Sequence, residues 1–579
     1  MRSNAWPAPE VDGNPRVRAR DAPLSRVVVI ALLFVFAAVW FAGLEYRTLL
    51  HPDEGRYAEI PLEMVATGDW LTPRLNGLKY FEKPPLQYWV TAFAYETFGA
   101  HNWSARLWPA LSTFLAALFL GFVGLRLEGP LVGLYSVVGV LGCVACVISA
   151  HVLTLDAGLN VFLIVAFGAF VLAQRDVATA TSRRRWMWVA WVAMAAATLS
   201  KGMVGIVIPG ASLVLYTLVT RDFRVWRRLH LRSGLLIYLL LAAPWFIAVS
   251  LANDDFAHFF FIHEHFDRYL TTVHERQHGW WYFVPVVIVG AVPWLAILVW
   301  GAPHMWHDAK PGANGFSWQR FAIAWSIFVF AFFSASGSKL PAYILPIFPV
   351  LMLLVASLCE RVPARTLLRH TLAGTTIVLI ALVVVLLAYD ALVRRFVKDA
   401  AVLGPALALA PWVMALLTVA ALGNIVAYWF LGRAAATSRT TAVLALSFST
   451  LAACQLGLIG FDEFHGLRSS RELITAAEAA NGPLQPDVPF FNVKIFDHTV
   501  PLVLGRPTTL VEYRDEFAFG ESSEPEKAFS TELAWIPVWQ RLDGGYAMMS
   551  VGEFDRLLAS GVSMRLIVHD DARVIVARR

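Results

Sequence analysis

The chain alternates long apolar runs with short polar connections, a pattern suited to a bilayer and ill suited to a water-soluble core. Runs of about 18 to 25 residues can cross a ~30 Å hydrocarbon layer as helices. They fall at 27–45, 105–125, 131–150, 155–174, 186–200, 202–220, 235–251, 281–300, 320–335, 342–359, 371–392, 411–431 and 441–460, which predicts about thirteen crossings. After Phe461 the pattern changes: charges, Asn, Pro and Gly return, with short β-type runs such as DVPFFNVKIF and SMRLIVHDDARVIVARR. In the second of these, Met564 to Val568 and Arg573 to Ala577, split by Asp570-Asp571, predict a hairpin, preceded by a helix over Val551 to Ala559. The expected architecture is an all-α polytopic membrane domain over 1–461 followed by a small α/β domain over 462–579.

Basic residues orient the spans, because Lys and Arg collect in cytoplasmic loops. Arg16, Arg18, Arg20 and Arg26 precede the first span, Arg183 to Arg185 follow the fourth, and Arg221, Arg224, Arg227 and Arg228 follow the sixth. Arg361, Arg365 and Arg369 follow the tenth, and Arg433 and Arg439 the twelfth. All these gaps lie on one side, which predicts a cytoplasmic N-terminus and a periplasmic C-terminal domain. Arg394, Arg395 and Lys398 fall on the opposite side, where an interfacial helix is the expectation. Counting LQYWVTAFAYETFGA at 86–100 as a crossing would invert every later loop, so it is expected to lie at the outer interface, anchored by Tyr88 and Trp89. The first apolar run has no small-residue cleavage site after it and is expected to stay as an anchor.

Composition agrees with a lipid solvent: 58% of residues are hydrophobic and 15% charged, against nearly a quarter charged in soluble domains. The net charge of +5 is small for 579 residues and argues against a nucleic-acid partner. Cys143, Cys146, Cys359 and Cys454 all lie in or beside apolar runs, where a thiol is a packing residue before it is a redox centre.

The chemistry must lie among charged residues near the span ends, because a membrane chain keeps such groups only where they act. They concentrate in the outer connections. HPDEGRYAEIPLEM places Asp53 and Tyr57 on one helical face with Arg56 close by, although Asp53 after Pro52 also reads as a helix N-cap. NGLKYFEKPPLQYW sets Tyr80, Glu82 and Lys83 before the rigid Pro84-Pro85 pair; the plain alternative is a solvated turn. Asp156 opens the fourth span, where it reads either as a functional acid or as a cap, and Lys201 sits in a tight outer turn. Lys339 and Tyr343 lie in GSKLPAY, and FAHFFFIHEHFDRYL carries His263 and Arg268. For any one Lys or Arg near a span end, snorkelling to the headgroups is the structural alternative.

HPDEGRYAEIPLEM, GDWLTPRLNGLKYFEKPPLQYW, LSKGMVGIVIPG and SGSKLPAYILPIFP together resemble the bacterial aminoarabinose transferases that modify lipid A, within the protein O-mannosyltransferase superfamily. The resemblance implies a GT-C glycosyltransferase of the inner membrane, a monomer, which takes 4-amino-4-deoxy-L-arabinose from undecaprenyl phosphate and attaches it to lipid A phosphates with inversion. Negative charge then builds on the departing undecaprenyl phosphate, for which Arg56, Lys83, Lys201, Arg268 and Lys339 are the candidate cations, assisted by Tyr343, with Tyr57 and Tyr80 beside them. Asp53, Asp156 and Glu82 are the candidate carboxylates facing the oxocarbenium-like sugar and its amino group. The acceptor phosphate is already an anion, so Asp53 can orient or balance charge without removing a proton. His263 and Glu82 form a candidate divalent-metal pair, but interfacial histidines more often pack or hydrogen-bond, and no metal is required by the chemistry. Two rivals keep some of these features: another polyprenyl-phosphate-dependent sugar transferase, and a lipid-linked sugar transporter. The transporter predicts mid-span polar groups and inverted repeats, neither of which stands out.

Overall fold

Every one of the apolar runs forms a helix or a bent pair of helices in the computed structural model, which describes residues 24–262, 278–307, 309–433 and 438–578. Among the described residues, eight helices are long and apolar enough to cross a membrane, or ten when two bent pairs are each taken as one span. The pairs are Pro130–Leu141 with Val144–Ala150, bent by 58°, and Trp280–Gly290 with Leu295–Pro303, bent by 114°. The expected thirteen exceed this count by three segments: α1 (Arg26–Phe41) and α9 (Val204–Thr220) are shorter, and α8 (Ala180–Lys201) begins with three arginines. A polytopic membrane protein is the result in either count.

The chain divides into two compact units. The membrane unit comprises Met1–Leu44, Trp108–Tyr389 and Ala410–Gly460. Its interior helix is α7 (Leu155–Ala173), apolar on every side and buried along nearly its whole length. The Ala364–Phe396 helix is the opposite case, with Ile377, Ile380 and Leu387 exposed, as a lipid-facing helix requires. Close packing inside the unit depends on small residues, because lipid offers no hydrophobic force between helices. Where α4 (Asn102–Leu127) meets α5 (Pro130–Leu141), a Cβ added to Gly121 would lie 2.2 Å from Val137 Cγ2, and one on Gly133 would lie 2.9 Å from the Gly121 carbonyl oxygen. Cys143 and Cys146, flanking the start of α6 (Val144–Ala150), are fully buried, and the Cys143 thiol donates to the Gly290 carbonyl at 3.0 Å, consistent with packing.

The second unit gathers Glu45–Leu107, Asp390–Leu409 and Phe461–Arg579. A contiguous division at 461 places the first two of these stretches with the membrane helices, whereas their own contacts join them to the C-terminal lobe. The lobe is built on a six-stranded sheet of order β5-β4-β3-β6-β8-β7, from β3 (Phe490–Val493), β4 (Thr509–Val511), β5 (Ala528–Phe529), β6 (Tyr546–Ser550), β7 (Met564–His569) and β8 (Arg573–Arg578). The first four in spatial order are parallel; β8 runs antiparallel to β6, and β7 to β8. Side chains alternate between two buried faces, which is why these strands read as near-continuous apolar runs. Ala547, Met549, Val574 and Val576 pack with Trp535 and Trp539 on one face, and Met548, Ile575 and Ala577 with Leu473 and Ile474 on the other. The expected terminal hairpin and the Val551–Ala559 helix are both present.

The 86–100 segment forms the 13-residue helix α3 (Leu86–Phe98). Its expected anchor Tyr88 is instead completely buried against α2 (Asp53–Thr67), with its ring stacked 6.3 Å from that of Tyr57. Phe93 and Phe98 are the exposed aromatic groups of this helix. Arg394 and Arg395 end the long Ala364–Phe396 helix, and no separate interfacial helix carries them.

Candidate active site

The predicted site residues separate into two groups, one in each unit, and Arg268 and His263 lie outside the described residues. In the second unit, α2 begins at Asp53, one residue earlier than the cap reading expects: Pro52 is the N-cap, and Asp53 occupies the first helical turn. Among the described residues its half-buried carboxylate has no hydrogen-bond or ion-pair partner.

Arg56 lies one turn on. Its Nη2 donates to Glu516 Oε1 at 3.2 Å, while its buried Nε has no acceptor among the described residues. Burial works against the Arg56 charge, but Tyr80, Tyr57, Glu82 and Glu516 outweigh it and hold the guanidinium above its ordinary range. Tyr80 and Tyr88 are buried, and their hydroxyls have no hydrogen-bond partner among the described residues. Burial pushes both phenols well up, assisted by Glu82 and Tyr57 respectively, so they stay protonated and can donate. Lys83 Nζ donates to the Glu82 carbonyl at 2.7 Å and lies 3.8 Å from the Glu82 carboxylate. The predicted Asp53, Arg56, Tyr57, Tyr80, Glu82 and Lys83 thus belong to one unit, and Arg56, Tyr57, Tyr80 and Glu82 lie within electrostatic reach of one another.

A short hairpin positions the second half of this group. β1 (Arg74–Leu75) and β2 (Leu78–Lys79) flank Asn76 and Gly77, at φ 53° and 77°, as an Asn-Gly turn prefers. Its amides donate to two acids of α2, Asn76 N to Glu59 at 2.9 Å and Gly77 N to Glu63 at 2.7 Å. Burial first and Glu63 second raise the Glu59 carboxyl well above the usual range, favouring its protonated form. The Asn76 side chain is clamped to Thr508 by three hydrogen bonds of 2.7 to 2.9 Å. The helix itself is fixed by Glu54, which takes both Nε and Nη2 of the fully buried Arg106 at 2.8 and 2.7 Å. Sequence reasoning missed Glu54, Glu59, Glu63 and Arg106, although the Asn-Gly dipeptide at 76–77 was a legible turn signal.

In the membrane unit, the α7–α8 hairpin brings the start of one helix beside the end of the other. Asp156, in the first turn of α7 behind the N-cap Thr154, pairs with Lys201, the last residue of α8, at 2.5 Å. Asp156 is therefore an ion-pair partner, not a cap. Gly202 takes φ 80° and turns the chain directly into α9. The Lys201 ammonium also stands 4.9 Å from the centre of the Tyr343 ring, within cation–π range. Lys339 does not snorkel: it is buried and donates to the Ser336 carbonyl at 2.6 Å. Asp156, Lys201 and Tyr343 are thus brought together, with Lys339 on the same short connection as Tyr343. Among the described residues no three metal-ligating side chains converge.

Known proteins resemble the chain throughout. A family model described as the aminoarabinose transferase C-terminal domain matches residues 476–578, and one described as dolichyl-phosphate-mannose-protein mannosyltransferase matches 25–308. Proteins named undecaprenyl phosphate-alpha-4-amino-4-deoxy-L-arabinose arabinosyl transferase are similar. That of Erwinia tasmaniensis is 31% identical over 56% of this chain, and that of Aeromonas salmonicida 34% identical over 56%. The chain spans 58% and 59% of those two relatives. The crystal structure of ArnT from Cupriavidus metallidurans bound to undecaprenyl phosphate superposes with a TM-score of 0.88 at 34% identity, covering 96% of this chain and 99% of that one. The apo form of the same enzyme gives 0.87.

Proposed function

Because the chain belongs to the aminoarabinose transferase family of GT-C glycosyltransferases, we propose that it moves 4-amino-4-deoxy-L-arabinose from undecaprenyl phosphate to lipid A phosphates at the periplasmic face of the bacterial inner membrane. The observation that carries this reading is similarity over essentially the full length to an enzyme crystallised with undecaprenyl phosphate. In each unit, moreover, cations stand beside carboxylates near a span end or in an outer loop, which is what a phosphate leaving group and a cationic sugar need.

The reaction forms one bond and breaks one. An oxygen of the acceptor phosphate attacks the anomeric carbon of the sugar, and the bond from that carbon to the undecaprenyl phosphate oxygen breaks, with inversion. The leaving phosphate gains negative charge as this happens, so donors fixed in advance stabilise the transition state more than the ground state. The sequence assigns this task to Arg56, Lys83, Lys201, Arg268, Lys339 and the Tyr343 hydroxyl. Asp53 is assigned to the positively charged sugar or to orienting the acceptor, because its carboxylate is uncommitted. Asp156 holds Lys201, and Tyr57 and Tyr80 offer rings and hydroxyls to the donor. No step needs a metal; Glu82 with His263 is retained as a candidate site for one. The N-terminus is assigned to the cytoplasm and the lobe to the periplasm.

Lipid A from a strain lacking the gene, complemented with wild type or variants, tests the proposal by mass spectrometry. Wild type is expected to add the mass of a pentosamine, and D53N or K83A to abolish the addition while the protein still inserts at normal levels. Absence of the increment with wild type overturns the substrate assignment. Normal modification by both variants overturns the site. A mannosyltransferase would share the membrane fold, but the match of residues 476–578 to the aminoarabinose transferase lobe favours the first reading.

A further inference from the structure

The polar contacts behind Arg56 lead into the C-terminal lobe. Glu516 accepts from Arg56 Nη2 at 3.2 Å and, on the same oxygen, from His498 Nε2. His498 Nδ1 lies 3.0 Å from His51 Nδ1, and that His51 nitrogen also accepts the backbone N–H of His498 at 3.4 Å. The same His51 nitrogen lies 3.9 Å from Asp497, which is held by Arg573 at 2.9 Å.

Glu516 is therefore shared between Arg56 and His498 instead of being devoted to Arg56 alone. Sharing restrains the arginine, since Glu516 is itself held from its far side. Two further observations support a built arrangement. Gly55 allows it: an added Cβ would lie 2.8 Å from His498 Cβ and 2.9 Å from its carbonyl carbon, so only glycine lets α2 come this close. Glu516 is a strong acceptor, because burial, which would raise it, is overcome by His498 and Arg56, and its carboxyl falls to about 2.

We propose that Glu516 and His498 are positioning residues for Arg56: through them the lobe fixes the guanidinium in the orientation that meets the phosphate of the lipid-linked donor. This rests on the reading of Arg56 as a substrate-binding residue. It makes the lobe part of the working site, acting through side chains that do not touch substrate.

Kinetics of the full-length protein in nanodiscs, with undecaprenyl-phosphate aminoarabinose as the varied substrate, test it. E516Q is expected to lower kcat/KM about tenfold to a hundredfold, the scale of one charge-assisted hydrogen bond, with E516D recovering part of the loss. Combined with R56K, E516Q should add little further loss, because both changes break the same contact. Wild-type kcat/KM in E516Q, or losses that multiply in R56K/E516Q, would overturn the inference. Wild-type kcat/KM in R56K would instead remove Arg56 from the site and with it the reading on which the inference rests. Should E516Q lose its melting transition, H498F, which leaves the carboxylate in place, carries the test with the same outcomes.

Discussion

Pairing decides which charged side chains are free to act. Lys201 and Asp156 are about as enclosed as each other and hold one another at 2.5 Å. Removing only the lysine strands an acid in a sparsely hydrated position, so K201M is expected to cost about 2–4 kcal/mol, and K201M/D156N distinctly less. Melting temperatures in detergent check this; equal losses in the single and double variants would show that the pair contributes nothing. Glu516 gives a pH prediction. Its carboxyl, near 4.5 ordinarily, is lowered to about 2 in the folded protein, so its contribution is fully present above the ordinary value and fades as pH falls toward the folded one. At most about 3 kcal/mol is involved, and wild type should lose more stability than E516Q between about pH 6 and pH 3. Parallel loss in the two proteins would contradict the assignment. Much of this scale was legible: Asp53, Arg56, Tyr80, Glu82 and Lys83 stood out as mixed charges among aromatics in an outer loop. Their partners were not, because Glu516 lies 460 residues from Arg56 and Thr508 lies 432 from Asn76, and no local pattern links such positions.

Elements were the most legible level, since a hydrophobic run long enough to span and a strand alternating between two buried faces each leave a direct trace. The departures have physical causes. Bends at Gly142-Cys143 and around Pro293 interrupt what a hydropathy pattern reads as continuous spans. Tyr88 looked like an interfacial anchor because amphipathic aromatics favour headgroups, but its ring has a better partner in Tyr57. The helix crossing at Gly121 tests how tightly these elements are fitted. G121A must displace Val137 or the facing backbone, and is expected to destabilise by about 1–3 kcal/mol, read as a lower melting temperature with topology unchanged. An unchanged melting temperature would mean that the crossing is looser than its geometry.

For the molecule as a whole, the Glu45–Leu107 stretch and the C-terminal lobe form one compact unit. Arg56, Arg74 and Asn76 each end on a lobe residue, respectively Glu516, Glu524 and Thr508. Truncation after 461 is therefore expected to leave the membrane helices inserted but the loop over 69–85 open to protease, with no aminoarabinose transfer. A loop as resistant as in the full-length protein would show that it folds without the lobe. Composition marked where the lobe begins but gave no hint that it takes in a segment from the other end of the chain.

That discontinuity has a consequence for biosynthesis. Roughly 350 residues of membrane helices separate Leu107 from Phe461, so at about 5–20 residues per second the loop leaves the ribosome about 20 to 70 s before its partner. For that interval Arg56, Arg74 and Asn76 lack their lobe partners Glu516, Glu524 and Thr508. The loop is thus a nascent-chain client before it is a folded part of the protein, and its dense charge, costly to bury later, favours solubility until the last domain arrives.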